Sequence, residues 1–147
     1  MSTNGMISDY MTHHHRTCDR QLADAEAAVD GDDWDAASEQ FTGFRAMIEQ
    51  HFEMEEDVLF PEFEQRSGLT DGPTLVMRSE HEEMRKLLEQ LQMALDSGDA
   101  ETYLGTSETL MVMLQQHNMK EENMLYPMAD GKLGEDAGAV LDRMRGL

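Results

Sequence analysis

Apolar residues recur along the chain at alternating steps of three and four, the period of a helix face. Four long segments show it. Over residues 8–29 the stripe is Met11, Cys18, Leu22, Ala25 and Val29. Over 34–65 it is Ala37, Phe41, Phe44, Ile48, His51, Glu55, Val58/Leu59 and Phe63. Over 74–96 it is Met77, His81, Met84, Leu88, Leu91 and Leu95. Over 100–128 it is Tyr103, Leu110, Leu114, His117, Glu121 and Leu125. Gly31-Asp32-Asp33 and Ser97-Gly98-Asp99 interrupt the pattern, and Asp33 and Asp99 stand where helix N-caps are expected. Pro61 is expected to kink the second helix near its end, and Pro73 suits the first turn of the third. After Gly131 a polar connector leads to a short helix over 136–145, expected to pack across one end. Short connections between four such helices predict an all-α fold, an antiparallel up-down-up-down four-helix bundle with a short C-terminal helix.

Polar residues standing in these stripes carry the chemistry. His51 to Pro61 and His117 to Pro127 both read His-x-x-x-Glu-Glu-x-x-Leu-(Phe/Tyr)-Pro, 66 residues apart. The same offset runs without a gap through both halves. It places His15 on His81, Met11 on Met77, Cys18 on Met84, Leu22 on Leu88, Phe44 on Leu110 and Asp33 on Asp99. His14 and His15 lie about equally close to the first stripe, but only His15 falls on another His under the offset. The chain therefore reads as two similar helical hairpins. Each gives one His from its first helix and one His-x-x-x-Glu from its second.

A His alone on an apolar stripe is more often a hydrogen-bonded core residue than a ligand. Four His and two Glu converging at matched depth are different, because burying two carboxylates without compensation is very costly. The metal-ligand candidates are His15, His51, Glu55, His81, His117 and Glu121. On ideal geometry, position i+4 lies about 40° around the helix from the His and i+5 about 140°. Glu55 and Glu121 are thus expected inside, and Glu56 and Glu122 less so; Glu122 is expected to be dispensable for metal content. Four imidazoles and two carboxylates exceed one structural zinc and suit two ions, with iron, manganese or zinc all compatible. A ferritin-like site needs Glu-x-x-His on two helices, but Ile48, Arg78 and Leu114 stand three before His51, His81 and His117.

Composition narrows the setting. The chain has 147 residues, enough for a single domain, 1–147, with its own core. A net charge of −20 argues against nucleic acid or an anionic membrane as partner. One cysteine rules out an internal disulfide, and Cys18 is expected to act as a small buried apolar residue. The 14 Met are expected mostly to fill helical cores. With neither a signal-peptide pattern nor an apolar run of about 18 residues, a cytoplasmic location is expected.

His15-Arg16, His51-x-x-x-Glu55, His81 and His117-x-x-x-Glu121, with the repeated Leu-(Phe/Tyr)-Pro, resemble the hemerythrin-like, or HHE cation-binding, domain. The resemblance spans about residues 9–130. It implies a non-haem centre of two Fe ions, bridged by an oxo or hydroxo group and two carboxylates, and it marks the same six residues. Two departures from the oxygen-carrying hemerythrins stand out. Those have a second His one turn after the third-helix ligand, where this chain has Arg85. They also place the last carboxylate five residues after its His, where Glu122 stands, while Glu121 stands at four. Arg85 is expected either to snorkel at the surface or to steer an anionic ligand. The arrangement is more similar to hemerythrin-like domains with four His and two Glu, such as bacterial proteins implicated in iron–sulfur cluster repair; those carry a further N-terminal cysteine-bearing domain, for which no counterpart is expected here.

The function expected from this resemblance is binding of a small ligand, dioxygen or nitric oxide, for storage, delivery or sensing. The alternative is a redox enzyme acting on peroxide or nitric oxide, or iron handling in iron–sulfur repair. The candidate partners are a small diatomic or peroxidic ligand and a redox partner protein, and sensing would require a partner.

Overall fold

A computed structural model describes residues 5–147. Helix α1 spans Met6–Asp30 and α2 spans Trp34–Glu53. The chain then passes through a π-helical turn, Met54–Leu59, into α3, Phe60–Ser67. After a short loop come α4, Pro73–Ser97, and α5, Ala100–Lys120. A second π turn, Glu121–Leu125, leads into α6, Tyr126–Leu133, and the chain closes with α7, Ala137–Arg145. Helix α1 packs on α2 and α5, and α4 packs on α5 and α2, which closes an antiparallel four-helix ring. The all-α bundle expected from the sequence is what forms.

Every residue of the four stripes is buried. Asp33 and Asp99 cap α2 and α5, each accepting a backbone N–H at 3.1 Å, from Ala36 and Thr102. The equivalence of the two breaks extends to the backbone: Gly98 has φ +66°, and Asp32, its counterpart under the offset, has φ +58°. Helix α7 packs against the first π turn and α1, across one end of the bundle, as expected.

The kink expected at Pro61 takes another form. Proline has no N–H to continue the ladder, and the turn before it widens instead. The Phe60 N–H reaches the Glu55 carbonyl, and the Tyr126 N–H reaches the Glu121 carbonyl. Such single-turn widenings are known causes of local helix distortion. Here each brings a ligand candidate and an aromatic residue five positions later into line. The connector expected after Gly131 starts later, because α6 continues through Gly131 to Leu133.

The core is two apolar clusters with a polar layer between them. One holds Cys18, Leu22, Phe41, Phe44, Ile48, Phe52, Met84, Leu88 and Leu114. The other holds Ile7, Met11, Met54, Phe60, Met77, Leu125, Tyr126 and residues of α7. His15, His51, His81, His117, Glu55 and Glu121 fill the level between them. Methionine is less uniformly internal than expected: Met11, Met54, Met77, Met84 and Met144 are buried, but Met93, Met119 and Met124 are well exposed. Cys18 is buried, and burial pushes its thiol up to about 12.

Candidate metal centre

All six candidates reach the middle layer, and none is more than 2% exposed. Their donor atoms fall into two groups. Glu55, His81, His117 and Glu121 bring four donors within 4.8 Å of one another, and His15, His51 and Glu121 bring three. Glu121 belongs to both groups. Donors lying on opposite sides of an ion at about 2.1 Å would be about 4.2 Å apart, so both clusters have the scale of an ion's coordination shell.

The first group has a further property. Glu55 Oε1, His81 Nε2, His117 Nε2 and Glu121 Oε2 are buried with no hydrogen-bond partner. His81 Nε2 lies 3.0 Å from Glu55 Oε1 and His117 Nε2 3.4 Å from Glu121 Oε1, but without hydrogen-bond alignment. Buried polar atoms are normally paired, and leaving several unpaired in one spot is costly. A cation satisfies all four at once. The residues present therefore fit a metal of the iron, manganese or zinc type, which accepts imidazole and carboxylate together.

The outward face of each imidazole is held as well. His81 Nδ1 donates to Glu56 Oε2 at 2.6 Å, His15 Nδ1 to Glu122 Oε2 at 2.7 Å, and His117 Nδ1 to Glu80 Oε1 at 2.7 Å. His51 Nδ1 meets His14 Nδ1 at 2.8 Å. A carboxylate at Nδ1 fixes the tautomer of His15, His81 and His117 and turns their Nε2 lone pairs inward. Glu56 and Glu122 thus point away from the centre, as i+5 geometry requires, yet each holds a His from a helix of the other hairpin. Glu122 is accordingly not a bystander. Nor is His14: it does not reach the centre, but it orients His51.

Arg85 takes neither role expected of it. Its guanidinium bonds Glu56 at 3.0 and 3.1 Å and Glu49 at 3.2 Å, and it lies over the Phe52 ring. It clamps the carboxylate that holds His81. Half-buried Glu56 is held at about 2: burial works against the charge, but the bonds from His81 and Arg85 outweigh it.

Tyr126 is the central residue that stripe reasoning did not single out. Its hydroxyl donates toward Glu55 Oε2 at 2.7 Å and Glu121 Oε1 at 2.9 Å, and it lies 3.1 Å from His15 Nε2 and 3.3 Å from His51 Nε2. The signal was present in the repeat, where Tyr126 replaces Phe60 at an otherwise matching position.

Charge in the layer is balanced by protons. Burial disfavours a charged His117, but the Glu121 carboxylate beside it prevails and lifts the imidazole to about 9. Burial likewise opposes ionisation of Glu121, yet the neighbouring imidazoles hold it well below the usual carboxylate range. Burial and the Glu121 charge push Glu55 up. Burial, reinforced by the charge of His15, depresses His51 to about 3.

The family model of the hemerythrin HHE cation-binding domain matches residues 6–129. A curated relative, the iron–sulfur cluster repair protein YtfE of Edwardsiella ictaluri, is 33% identical over 104 residues, covering 64% of this chain and 47% of that protein. The chain thus spans about half the length of this relative. No solved structure matches significantly. The buried His and Glu layer and the family match agree, and the chain belongs to the hemerythrin HHE cation-binding domain family.

Proposed function

We propose that this is a non-haem di-iron protein that binds dioxygen or nitric oxide at a carboxylate-bridged centre, for storage, delivery or sensing. His15 and His51 would hold one iron, His81 and His117 the other, with Glu55 and Glu121 between them. The observation that carries this reading is the buried layer itself: two neighbouring donor groups share Glu121, and four of their buried atoms have no protein partner. Bound iron supplies electrons and open coordination positions for a small ligand. The chain supplies the rest. Glu56, Glu80, Glu122 and His14 orient the imidazoles, and the apolar clusters on both sides limit water. Tyr126 Oη keeps a proton between the two carboxylates and beside His15 and His51, placing a hydrogen-bond donor next to whatever occupies that position.

The relative's name favours a second reading, iron handling or redox chemistry in iron–sulfur cluster repair. Anaerobic reduction, iron quantitation and an optical spectrum before and after dioxygen separate the two. A reversible oxygen-dependent band supports the binding protein. Direct oxidation to a stable diferric state, or rapid peroxide turnover, supports the redox enzyme. Among the described residues no helix is long and apolar enough to cross a membrane. The −20 charge speaks against nucleic acid or an anionic membrane as partner.

A further inference from the structure

We infer that the two metal positions are unlike, and that the one between His81 and His117 fills first and holds its ion more tightly than the one between His15 and His51. The inference rests on the two-ion reading above and concerns what surrounds the ligands rather than the ligands themselves.

The offset of 66 residues makes the two positions directly comparable. At the His81–His117 position both imidazoles are backed by carboxylates, Glu56 and Glu80. Each of those is pinned by a cation, Glu56 by Arg85 and Glu80 by Lys120. At the His15–His51 position only His15 has a carboxylate, Glu122, and among the described residues no Arg or Lys pairs with it. The counterpart of Arg85 is Asp19, and the counterpart of Glu80 is His14. An imidazole behind His51 raises its basicity less than a carboxylate would.

The remaining differences run the same way. Three of the four partnerless donor atoms, Glu55 Oε1, His81 Nε2 and His117 Nε2, belong to the His81–His117 group alone, and the fourth, Glu121 Oε2, is on the shared carboxylate. At the other position His15 Nε2 lies 3.0 Å from both His51 Nε2 and Glu121 Oε1, and all of them contact the Tyr126 hydroxyl. Those contacts must be broken before an ion enters. His81 is covered by the Phe52 ring, centroids 4.0 Å apart, and flanked by Phe60. Their counterparts at the other position are polar, Asn118 and Tyr126. A surface cavity of about 370 Å³ between α1 and α5 reaches His15, with Asp19, Asn118 and Glu122 in its wall. The tight position is therefore prearranged, unsatisfied and covered, and the loose one is self-satisfied and close to solvent.

Losing one outer partner of a metal-bound His typically weakens binding about 10–100-fold. The metal-free chain titrated anaerobically with Co(II) against a competing chelator should bind two ions in separate steps at least about tenfold apart. His117→Ala should abolish the tight step, and His51→Ala should leave it. His14→Glu, at a half-buried position outside the ligand set, should strengthen the weak step and leave the tight one unchanged, which assigns the steps even where a ligand variant fails to fold. Two steps of equal affinity, a tight step surviving in His117→Ala, or an unaltered weak step in His14→Glu would overturn the inference alone. Fewer than two Co(II) per chain would overturn the two-ion reading and this inference together.

Discussion

The two hairpins of this bundle share their ligands but not the neighbours of those ligands. His15 and His81, His51 and His117, and Glu55 and Glu121 occupy equivalent places at equal depth. Around them the halves diverge: His14 faces Glu80, Asp19 faces Arg85, Asn118 faces Phe52 and Tyr126 faces Phe60. A duplicated ligand set thus yields two unequal surroundings. Binding a pair of ions constrains the residues whose donor atoms touch them. On the proposed two-ion reading, tuning each ion would be left to residues one contact further out.

The largest effect that can break this comparison comes from the two carboxylates. Glu121 belongs to both donor groups and Glu55 to one. Glu121→Ala should lose both ions, weakening each by more than the roughly hundredfold seen at most for outer partners. Glu55→Ala should weaken both positions, because Glu55 Oε1 also lies 3.7 Å from His51 Nε2, but the His81–His117 position more than the other. Equilibrium dialysis with metal analysis reads both, and equal losses in the two variants would show that the carboxylates are interchangeable.

Next come the Nδ1 partners. Glu80→Gln and Glu122→Gln should each weaken one position about 10–100-fold, the first at His81–His117 and the second at His15–His51. Stepwise metal titration of each variant checks this. Unchanged binding in Glu122→Gln would restore the view of that residue as dispensable.

The pH dependence of the metal-free chain sharpens the account of its protons. His117, raised to about 9, stabilises the fold fully below the ordinary imidazole value of 6.5, and that contribution is lost as pH rises through 9. His15 and His81 are also raised; burial opposes this, and the Glu121 and Glu55 carboxylates respectively outweigh it. They act in the same direction. His51, depressed to about 3, has the opposite sign, adding stability as pH rises from 3 toward 6.5. The raised Glu55 offsets part of that gain at acid pH. The metal-free melting temperature should therefore fall between about pH 6.5 and 9. The rise in melting temperature caused by metal should grow over the same range, because the imidazoles must be unprotonated to bind. Thermal melts with and without metal across that interval measure both, and a metal-free melting temperature rising with pH would contradict the account.

The smallest effect is a control on which the hairpins should agree. Asp33→Ala and Asp99→Ala each remove a cap with the same 3.1 Å geometry. Each should lower the chemical denaturation midpoint slightly and to a similar extent, with metal content unchanged.

Much of this architecture was legible in the residues. The helical period placed the stripes, and the offset then resolved His15 from His14 and brought in His81, because a repeat carries information that periodicity lacks. The i+4 rule separated Glu55 from Glu56 and Glu121 from Glu122. What stayed hidden depends on which helices become neighbours. Glu122 holds His15 across 107 residues of sequence, and Glu80 holds His117 across 37. No local pattern marks such pairs. Arg85 was placed at the surface or at a ligand for the same reason: its partners Glu49 and Glu56 come from a neighbouring helix. The π turns arise from Pro61 and Pro127, but whether a helix kinks or widens before a proline depends on the packing around it. Tyr126 was visible only as a mismatch with Phe60, and the widened turn that stacks it on Glu121 gave that mismatch its meaning.

Iron counted per chain after anaerobic reconstitution, beside the Glu121→Ala variant under the same conditions, tests the central claim most directly. Two tightly held irons in the natural chain, both lost from the variant, is the predicted result. Natural chain that retains no iron, or iron that persists unchanged when Glu121 is removed, would contradict it.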